Sequence, residues 1–250
     1  MAHPFEVRKE IEVDATPEEV WEAIATGPGL DAWFMGTNQV EPGEGGAVRM
    51  TLPGWSEEST VTVWDPPNRL VTETARGEDG RFMAFEYLIE GRGGGSTVVR
   101  LVHSGFLAGD DWEAEYEALK SGDPMYIDKL AEYLTHFRGR TAIPVSAFGP
   151  EVDREHMWAV LRETLGLSGA VAEGDQVRFT PEGLAPVEGV VDHVSAETLG
   201  VRTSDGMYRF IHGLGGTVVL GHHIYADADQ QATERAWQSW LDKSFASSAV

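Results

Sequence analysis

Histidine is the residue type whose clustering first suggests chemistry, because four of the eight histidines lie between positions 193 and 223. Imidazole nitrogens are common ligands of zinc, so His193, His212, His222 and His223 invite a metal-site hypothesis. Adjacent residues on a strand face opposite ways, which keeps His222 and His223 out of a shared site. A turn at 213–216 would carry His212 away from both. We therefore predict no metal site.

One histidine in the first half of the chain has a different setting. His103 lies near the end of a predicted strand, where a cavity would open. An imidazole there could orient a ligand or transfer a proton. A hydrogen bond at a strand end, with a purely structural role, is the alternative.

Charged residues offer a second type of chemistry. Glu86 and Arg100 lie in otherwise apolar strands that a meander would bring side by side, which predicts a cross-strand ion pair. An outward structural pair is favoured, and an inward pair that holds a polar ligand group is the alternative. In so acidic a chain, neighbouring carboxylates are expected to form solvated faces. These neighbours are Glu57 with Glu58, Asp110 with Asp111, and Asp227 with Asp229.

Known catalytic signatures are missing from the sequence. It has no Gly-x-Ser-x-Gly elbow, no Gly-x-Gly-x-x-Gly between a strand and a helix, and no Walker pattern. The lack of cysteine removes disulfides, thiolate catalysis and zinc-thiolate sites. The sequence therefore predicts no catalytic residues and no cofactor.

The elements that position these residues occur twice. Trp21 is followed by Trp158 in a similar context 137 residues later, which indicates two copies of one fold. Three motifs recur in order: 16–24 (TPEEVWEAI) with 153–161 (DREHMWAVL), 44–50 (EGGAVRM) with 173–179 (EGDQVRF), and 79–82 (DGRF) with 205–208 (DGMY). Both shared tryptophans are expected in the cores.

In the first copy, alternating apolar residues predict a strand over 5–13, and Thr16 is a plausible N-cap for a helix that Gly27-Pro28-Gly29 would end. A second short helix or tight loop is predicted over 30–35, and Trp55 falls on a loop. Further strands are predicted at 47–52, 59–64, 69–75, 81–90 and 96–103, then a polar helix at 110–120 and an amphipathic helix at 125–137.

In the second copy, the sequence predicts a helix at 154–165, five strands and a closing helix at 229–245. The strands are predicted at 175–180, 187–194, 198–203, 206–212 and 217–225. Residues 138–140 (RGR) are the predicted linker, so we expect a full domain at 1–138 and a trimmed domain at 139–250. The second copy is shorter, because it lacks most of the Trp33-Phe34-Met35 segment and the insertion at 104–124.

Composition limits the partners. Nineteen Lys and Arg against 41 Asp and Glu give a net charge of -22, which repels nucleic acids and anionic lipid surfaces. No signal peptide and no apolar run of membrane-spanning length is present. We expect a cytoplasmic protein that binds neither nucleic acid nor a membrane.

Residues 11–21 (IEVDATPEEVW), 30–34 (LDAWF) and 130–134 (LAEYL) carry a family resemblance. The chain resembles the START-like (SRPBCC) superfamily, and within it the bacterial branch named after homologues of the chaperone ATPase activator. The resemblance implies an α+β helix-grip fold in two tandem copies, each an antiparallel sheet wrapped on a long C-terminal helix. No catalytic motif is common to this superfamily, so the resemblance implies a cavity and not a reaction.

A cavity between such a sheet and helix would be lined by apolar residues of the first copy. The candidate ligand-binding residues are Trp33, Phe34, Met35, Trp55, Phe82, Phe85, Tyr87, His103, Tyr126, Leu130 and Tyr133. Apolar residues at strand or helix spacing are more often core, which is the alternative for most of them.

Three functions remain open at this stage. The first is non-enzymatic binding or sequestration of a small hydrophobic ligand in the N-terminal domain. The second, suggested by other members of the superfamily, is a polyketide cyclase or aromatase in which His103, Tyr87 or Glu86 supplies an acid or base. The third is a chaperone-interacting module, with a protein partner or a homodimer. The second copy would serve as a support, a lid or a dimerisation element.

Overall fold

Two antiparallel sheets, one in each half of the chain, form the framework of the protein. The computed structural model describes residues 2–167, 169–181 and 183–246. The chain divides into two units, residues 1–141 and 142–250, each with its own sheet and helices. In the described part of the chain, no helix has the length and apolar character required to cross a membrane.

Unit 1 contains seven strands and three helices among its described residues. The strands are β1 His3–Val13, β2 Thr37–Val40, β3 Ala47–Leu52, β4 Trp55–Asp65, β5 Arg69–Thr74, β6 Phe82–Gly91 and β7 Thr97–Leu107. The helices are α1 Pro17–Ala25, α2 Gly27–Asp31 and α3 Trp112–His136. The sheet order is β1-β7-β6-β5-β4-β3-β2, so each strand after β2 pairs with the one before it and β1 closes the edge beside β7.

A capping box starts α1, in agreement with the cap predicted at Thr16. The Glu19 amide donates to Thr16 Oγ1 at 3.3 Å, and the Thr16 amide donates to Glu19 Oε2 at 2.8 Å. α1 ends at Ala25, just before Gly27-Pro28-Gly29, as predicted. These three residues form the first turn of α2, which therefore begins earlier than the predicted start at Leu30. Thr26 makes the junction, since its hydroxyl accepts from the Gly29 amide at 3.0 Å.

The two helices predicted at 110–120 and 125–137 form one continuous helix of 25 residues, α3, with Pro124 inside it. Contacts along the whole length of α3 hold it against the sheet. At its start Trp112 stacks on the His3 ring at 4.0 Å, and further along Lys9 pairs with Asp128 at 2.9 Å.

The strand register corrects the predicted ion pair between Glu86 and Arg100. Glu86 lies opposite Val102, and Arg100 lies opposite Leu88, so the two charges are not directly paired. Each has another partner on the outer face: Arg69 donates to Glu86 at 2.7 Å, and Arg100 donates to Glu10 at 2.7 Å.

Unit 2 repeats this plan with six strands and two α-helices among its described residues. The strands are β8 Ile143–Glu151, β9 Gln176–Phe179, β10 Val187–Val194, β11 Thr198–Arg202, β12 Gly206–His212 and β13 Thr217–Ile224. The helices are α4 Arg154–Thr164 and α5 Gln230–Ala246. The sheet order β8-β13-β12-β11-β10-β9 is the order of unit 1 without a counterpart of β2. The predicted α+β helix-grip fold in two copies is confirmed.

The interior of unit 2 is filled by large side chains. Trp237 lies against Phe210 and Tyr208, with ring centroids 6.3 and 5.7 Å apart, and all three are buried. A buried ion pair adds to this core, because Arg209 and Asp192 are bonded through two contacts of 2.8 and 3.0 Å with side chains only 1% and 2% exposed.

The tryptophans shared by the two copies are not core residues, contrary to the prediction. Trp21 is only partly buried and meets the edge of Trp64 with centroids 5.0 Å apart. Trp158 is also partly buried, and its indole donates to the Ala196 carbonyl at 2.8 Å. The hydrogen bond of Trp158 gives the polar edge of its indole ring a partner at the rim of the core.

Candidate functional site

A cavity of about 270 Å³ lies inside unit 1, between the sheet, α2 and the N-terminal half of α3. This volume is just below the about 300–1,000 Å³ that is usual for small-molecule sites. Its apolar lining consists of Ile24, Leu30, Phe34, Met35, Val48, Met50, Trp55, Leu70, Met83, Phe85, Leu119 and Tyr126. Its polar lining consists of Asn38, Glu57, Ser59, Thr72, Arg81, Tyr87, His103, Glu115 and Asp123.

The alternation of strand residues decides which side chains reach the cavity. Residues at odd positions around β6 face inward, and Arg81, Met83, Phe85 and Tyr87 all line the cavity. On α3 the lining residues recur at helical spacing, at Glu115, Leu119, Asp123 and Tyr126.

Seven of the eleven predicted ligand-binding residues line this cavity, and four lie elsewhere. The seven are Phe34, Met35, Trp55, Phe85, Tyr87, His103 and Tyr126. Trp55 is the first residue of β4 and not a loop residue, and it is 49% exposed. The four that lie elsewhere are Trp33, Phe82, Leu130 and Tyr133.

Trp33 and Phe82 point away from the cavity for different reasons. Trp33 is completely buried behind the neighbouring Phe34, and its indole donates to the Ala23 carbonyl at 2.9 Å. Phe82 is on the opposite face of β6, where the Arg76 guanidinium lies 3.6 Å from the ring centroid. Since Phe82 and Phe85 are three residues apart on one strand, they cannot share a face.

Leu130 and Tyr133 follow Tyr126 along the same face of α3 but lie beyond the end of the cavity. Leu130 is fully buried, and Tyr133 is 6% exposed. The Tyr133 hydroxyl accepts a hydrogen bond from the Gly139 amide at 3.3 Å. The C-terminal half of α3 therefore packs the core, while its N-terminal half lines the cavity.

The segment after α2 forms one wall of the cavity and is fixed by a polar contact. The Asp31 carboxylate accepts from the Asn38 amide at 2.6 Å and from Asn38 Nδ2 at 3.0 Å. Asn38 Nδ2 also donates to the Met35 carbonyl at 3.1 Å. Burial raises the pKa of Asp31, although the two bonds from Asn38 oppose that shift. This contact holds Phe34 and Met35 over the cavity.

His103 lies in the middle of β7 and not at its end, and it is 1% exposed. Its Nδ1 is 2.8 Å from Asp123 Oδ2, and its ring stacks on Phe85 with centroids 3.8 Å apart. Because an ionised Asp123 can only accept, Nδ1 carries a proton and donates to it. Nε2 has no hydrogen-bond partner in the described part of the chain, and in the neutral ring it is an acceptor.

A second polar pair closes another side of the cavity. The Arg81 guanidinium bonds both oxygens of Glu115, one of them from Nη1 at 2.7 Å. Such a two-point contact fixes both side chains. The hydrogen bond from Arg81 to Glu115 is the main reason that the pKa of Arg81 is raised.

Glu57 also lines the cavity, which corrects its assignment to a solvated face with Glu58. Burial raises the pKa of the half-buried Glu57, while the charges of His103 and Arg81 act in the opposite direction. Glu58 points outward and pairs with Arg49 at 2.5 Å. Continuing the inward alternation of Ser59 and Val61 two residues back along β4 would have placed Glu57 inside.

Tyr87 completes the polar lining from β6. Its side chain is buried, and its hydroxyl makes no hydrogen bond within the described residues. Burial raises the pKa of Tyr87 well above its ordinary value, and the charge of Asp123 adds to that effect. Tyr87 therefore stays neutral and can both donate to and accept from a ligand.

These polar groups surround an otherwise apolar space, so the arrangement suits a ligand with an apolar body and a polar end. In the part of the chain that the structure describes, no group of three or more histidine, aspartate or glutamate side chains has the geometry of a metal site. The cavity has a polar rim, since Glu57 and Arg81 also border a neighbouring open groove.

Comparisons with known proteins place unit 1 in a family and describe similar structures. The profile of the family described as Activator of Hsp90 ATPase homolog 1-like protein matches residues 14–135. A comparison with curated proteins finds no match.

Three of the solved structures that resemble the chain differ in how much of it they cover. A protein from Mesorhizobium loti is 21% identical, with 52% of this chain and 96% of that one covered and a TM-score of 0.46. The Aha1 dimer from Colwellia psychrerythraea is 22% identical, with 54% and 99% covered and a TM-score of 0.45. The two-domain ARO/CYC protein BexL of the BE-7585A biosynthetic pathway is 14% identical, with 96% and 98% covered and a TM-score of 0.48.

Proposed function

Unit 1 of this chain belongs to the family of Activator of Hsp90 ATPase homolog 1-like proteins, and from that premise we propose that its cavity binds a small, mostly apolar ligand. The observation that carries this proposal is the cavity of about 270 Å³ between the sheet and α3. Its walls are mainly aromatic and aliphatic, and protein interiors rarely leave such a space unfilled.

The polar lining supports binding of a ligand and not a simple packing defect. A defect in a core is normally lined by apolar atoms alone, whereas this cavity is bordered by Glu57, His103 and Tyr87. A few polar groups in an apolar pocket usually orient a bound molecule.

The comparison of the two units supports the same proposal. In unit 2 the large side chains of Trp237, Phe210 and Tyr208 fill the centre of the core between the sheet and α5. Among the described residues of unit 2, an open pocket remains beside the N-terminal half of α5. Unit 1 instead keeps β2 and the Phe34–Met35 wall around an open interior. We therefore assign the binding function to unit 1.

A substitution that fills the cavity tests the proposal. Ser59 lines the cavity from β4, so Ser59→Phe would occupy about a third of the space. The uncharged fluorophore N-phenyl-1-naphthylamine gains emission when it leaves water. We expect saturable binding by the unmodified protein and at least about tenfold weaker binding by Ser59→Phe.

The matched control is Thr60→Phe, which places the same ring on the exposed face of β4 one residue away. It should bind the fluorophore as the unmodified protein does. Circular dichroism and thermal unfolding establish that both variants are folded. Absence of saturable binding, or equal binding by folded Ser59→Phe, would contradict a ligand-binding cavity.

A further inference from the structure

The carboxylate of Glu57 is the charged group of the cavity that lacks a partner. In the described part of the chain, it makes neither a hydrogen bond nor an ion pair. The other lining carboxylates are paired, Glu115 with Arg81 and Asp123 with His103. An unpaired carboxylate in a half-buried position is unfavourable unless something compensates it.

The formal charges of the residues that line the cavity indicate which kind of ligand could compensate the Glu57 carboxylate. Among the described lining residues, three carboxylates face one guanidinium and one imidazole. Arg81 is already committed to Glu115 by two hydrogen bonds. A ligand carrying a negative charge would therefore meet net repulsion, and a ligand carrying a positive charge would be attracted.

The hydrogen-bonding capacity of the unpaired groups points the same way. Asn38 uses Nδ2 for Asp31 and Met35, which leaves its Oδ1 buried without a partner. His103 uses Nδ1 for Asp123, which leaves Nε2 without a partner among the described residues. Together with Glu57, Asn38 Oδ1 and Nε2 of a neutral His103 ring offer acceptors. The Tyr87 hydroxyl can accept as well as donate, so a ligand that donates hydrogen bonds complements these groups.

The groove outside the cavity has the same electrostatic character. Glu57 and Arg81 lie at the junction of cavity and groove, and the groove is further bordered by Glu58, Glu78 and Asp79. Among the described residues that border the groove, carboxylates therefore outnumber guanidinium groups. A cleft lined by one sign of charge concentrates ligands of the opposite sign.

The apolar lining is compatible with a cation because much of it is aromatic. Phe34, Trp55, Phe85 and Tyr126 present rings to the cavity. The face of an aromatic ring attracts an ammonium group, and attraction increases when water is excluded.

We infer that the cavity of unit 1 selects a small lipophilic amine, whose ammonium group faces Glu57 and whose apolar body lies among the aromatic rings. This inference rests on the proposed ligand-binding function and specifies the class of ligand. An ammonium group is charged and has only donors, which matches the unpaired acceptors of the cavity.

Three probes that differ only in the polar end test this selectivity. They are 4-phenylbutylamine, 4-phenylbutan-1-ol and 4-phenylbutanoate, titrated into the full chain by calorimetry at pH 7.5. We expect the amine to bind about tenfold more tightly than the alcohol, and the carboxylate to bind more weakly than both.

Glu57→Gln and Glu58→Gln form a matched pair of variants, because each removes one negative charge from the same strand. Glu57→Gln should reduce the preference for the amine over the alcohol to less than about threefold, with binding of the alcohol retained. Glu58→Gln should keep the preference, since Glu58 points outward to Arg49. Retained binding of the alcohol also establishes that the Glu57→Gln cavity is intact.

The dependence on pH provides a second measurement. Burial raises the pKa of Glu57, and the groups facing it are Arg81, His103 and Glu115. As pH falls through this raised pKa, Glu57 loses its charge and amine binding should weaken. The part of the pH dependence that disappears in Glu57→Gln belongs to Glu57.

The outcomes separate this inference from the proposed function. Equal affinity for amine and alcohol, or an unchanged preference in Glu57→Gln, would overturn amine selectivity while ligand binding stands. Tighter binding of the carboxylate would overturn it as well. If neither these probes nor the uncharged fluorophore bind, the proposed function itself fails.

Discussion

At the scale of the residue, the carboxyl group of Glu57 is held where its ionisation is unfavourable. Burial raises its pKa more than the charges of His103 and Arg81 lower it. A carboxyl group whose pKa is higher in the folded than in the unfolded state makes the fold less stable as the pH rises from the unfolded-state pKa to the folded-state pKa. The ligand-free protein is then less stable at neutral pH than it would be without this charge.

Glu57→Gln is therefore predicted to stabilise the ligand-free protein at pH 7. The amide keeps the shape of the side chain and removes the burial of a charge, so the melting temperature should rise by roughly 1–3 °C. Thermal unfolding by circular dichroism measures the change, and the gain should vanish below the ordinary pKa of a glutamate, where the carboxyl group is neutral in both states. Glu58→Gln is the control, because it breaks an exposed ion pair and should leave stability unchanged or slightly lower.

A stability gain that persists unchanged into acid would contradict this explanation, because the charge of Glu57 would then not be its cause. Equal gains in Glu57→Gln and Glu58→Gln would attribute the effect to the net charge of the chain. Either result would leave the cavity geometry untouched.

Side chains alternate between the two faces of a strand, and this alternation decides how much of the cavity lining can be predicted from the sequence. Phe85 and Tyr87 were predicted to line the cavity and do, as their spacing of two requires. Phe82 is also a predicted lining residue, but its neighbour Arg81 faces the cavity instead. Because side-chain direction alternates strictly along a strand, position and not residue type decides which side chains reach the cavity.

At the scale of the element, the wall formed by Phe34 and Met35 depends on a contact between α2 and β2. Asn38 satisfies the Asp31 carboxylate from both its backbone amide and its side chain. Burial raises the pKa of Asp31, so the ionised form needs these donors. The wall is thus fixed by a polar contact next to an apolar cavity.

Asn38→Ala is predicted to loosen this wall. It removes one donor to Asp31 and the bond to the Met35 carbonyl, which should cost about 1–3 kcal/mol at neutral pH. Chemical denaturation measures the loss, and affinity for the fluorophore should fall with it. Because the loss of a donor raises the pKa of Asp31 further, the destabilisation should become smaller as pH falls and Asp31 becomes protonated.

Gln39→Ala is the appropriate comparison, since Gln39 is exposed and next to Asn38 on β2. It should change neither stability nor affinity. A destabilisation by Asn38→Ala that is independent of pH would indicate lost packing and not an uncompensated Asp31.

Local sequence signals predict the elements of unit 2 better than those of unit 1. The strands β10 and β12 begin and end at the predicted residues. In unit 1, the sequence around Pro124 predicts a break, because proline lacks the amide hydrogen that a helix interior uses. Asp123 bonded to His103 and Glu115 bonded to Arg81 hold α3 on the sheet on the N-terminal side of this point. Such contacts between distant residues cannot be read from a local pattern.

At the scale of the whole molecule, the internal repeat predicts the two-copy fold from the sequence. The motifs containing Trp21 and Trp158 open α1 and α4, and the motifs at 79–82 and 205–208 lead into β6 and β12. The proposed functional contrast between the copies rests on what fills them. Large side chains such as Trp237 and Phe210, and not the repeat itself, build the core of unit 2.

This contrast predicts that residues 1–141 carry the binding activity by themselves. They contain a complete seven-stranded sheet, α3 and every described residue that lines the cavity. A chain of this length buries about two thirds of its surface on folding, which is enough for a stable domain. We expect residues 1–141 to unfold cooperatively and to bind N-phenyl-1-naphthylamine within about threefold of the full chain. Residues 142–250 should fold without binding it. Fluorophore binding by this second fragment would contradict the prediction that the binding activity belongs to unit 1 alone.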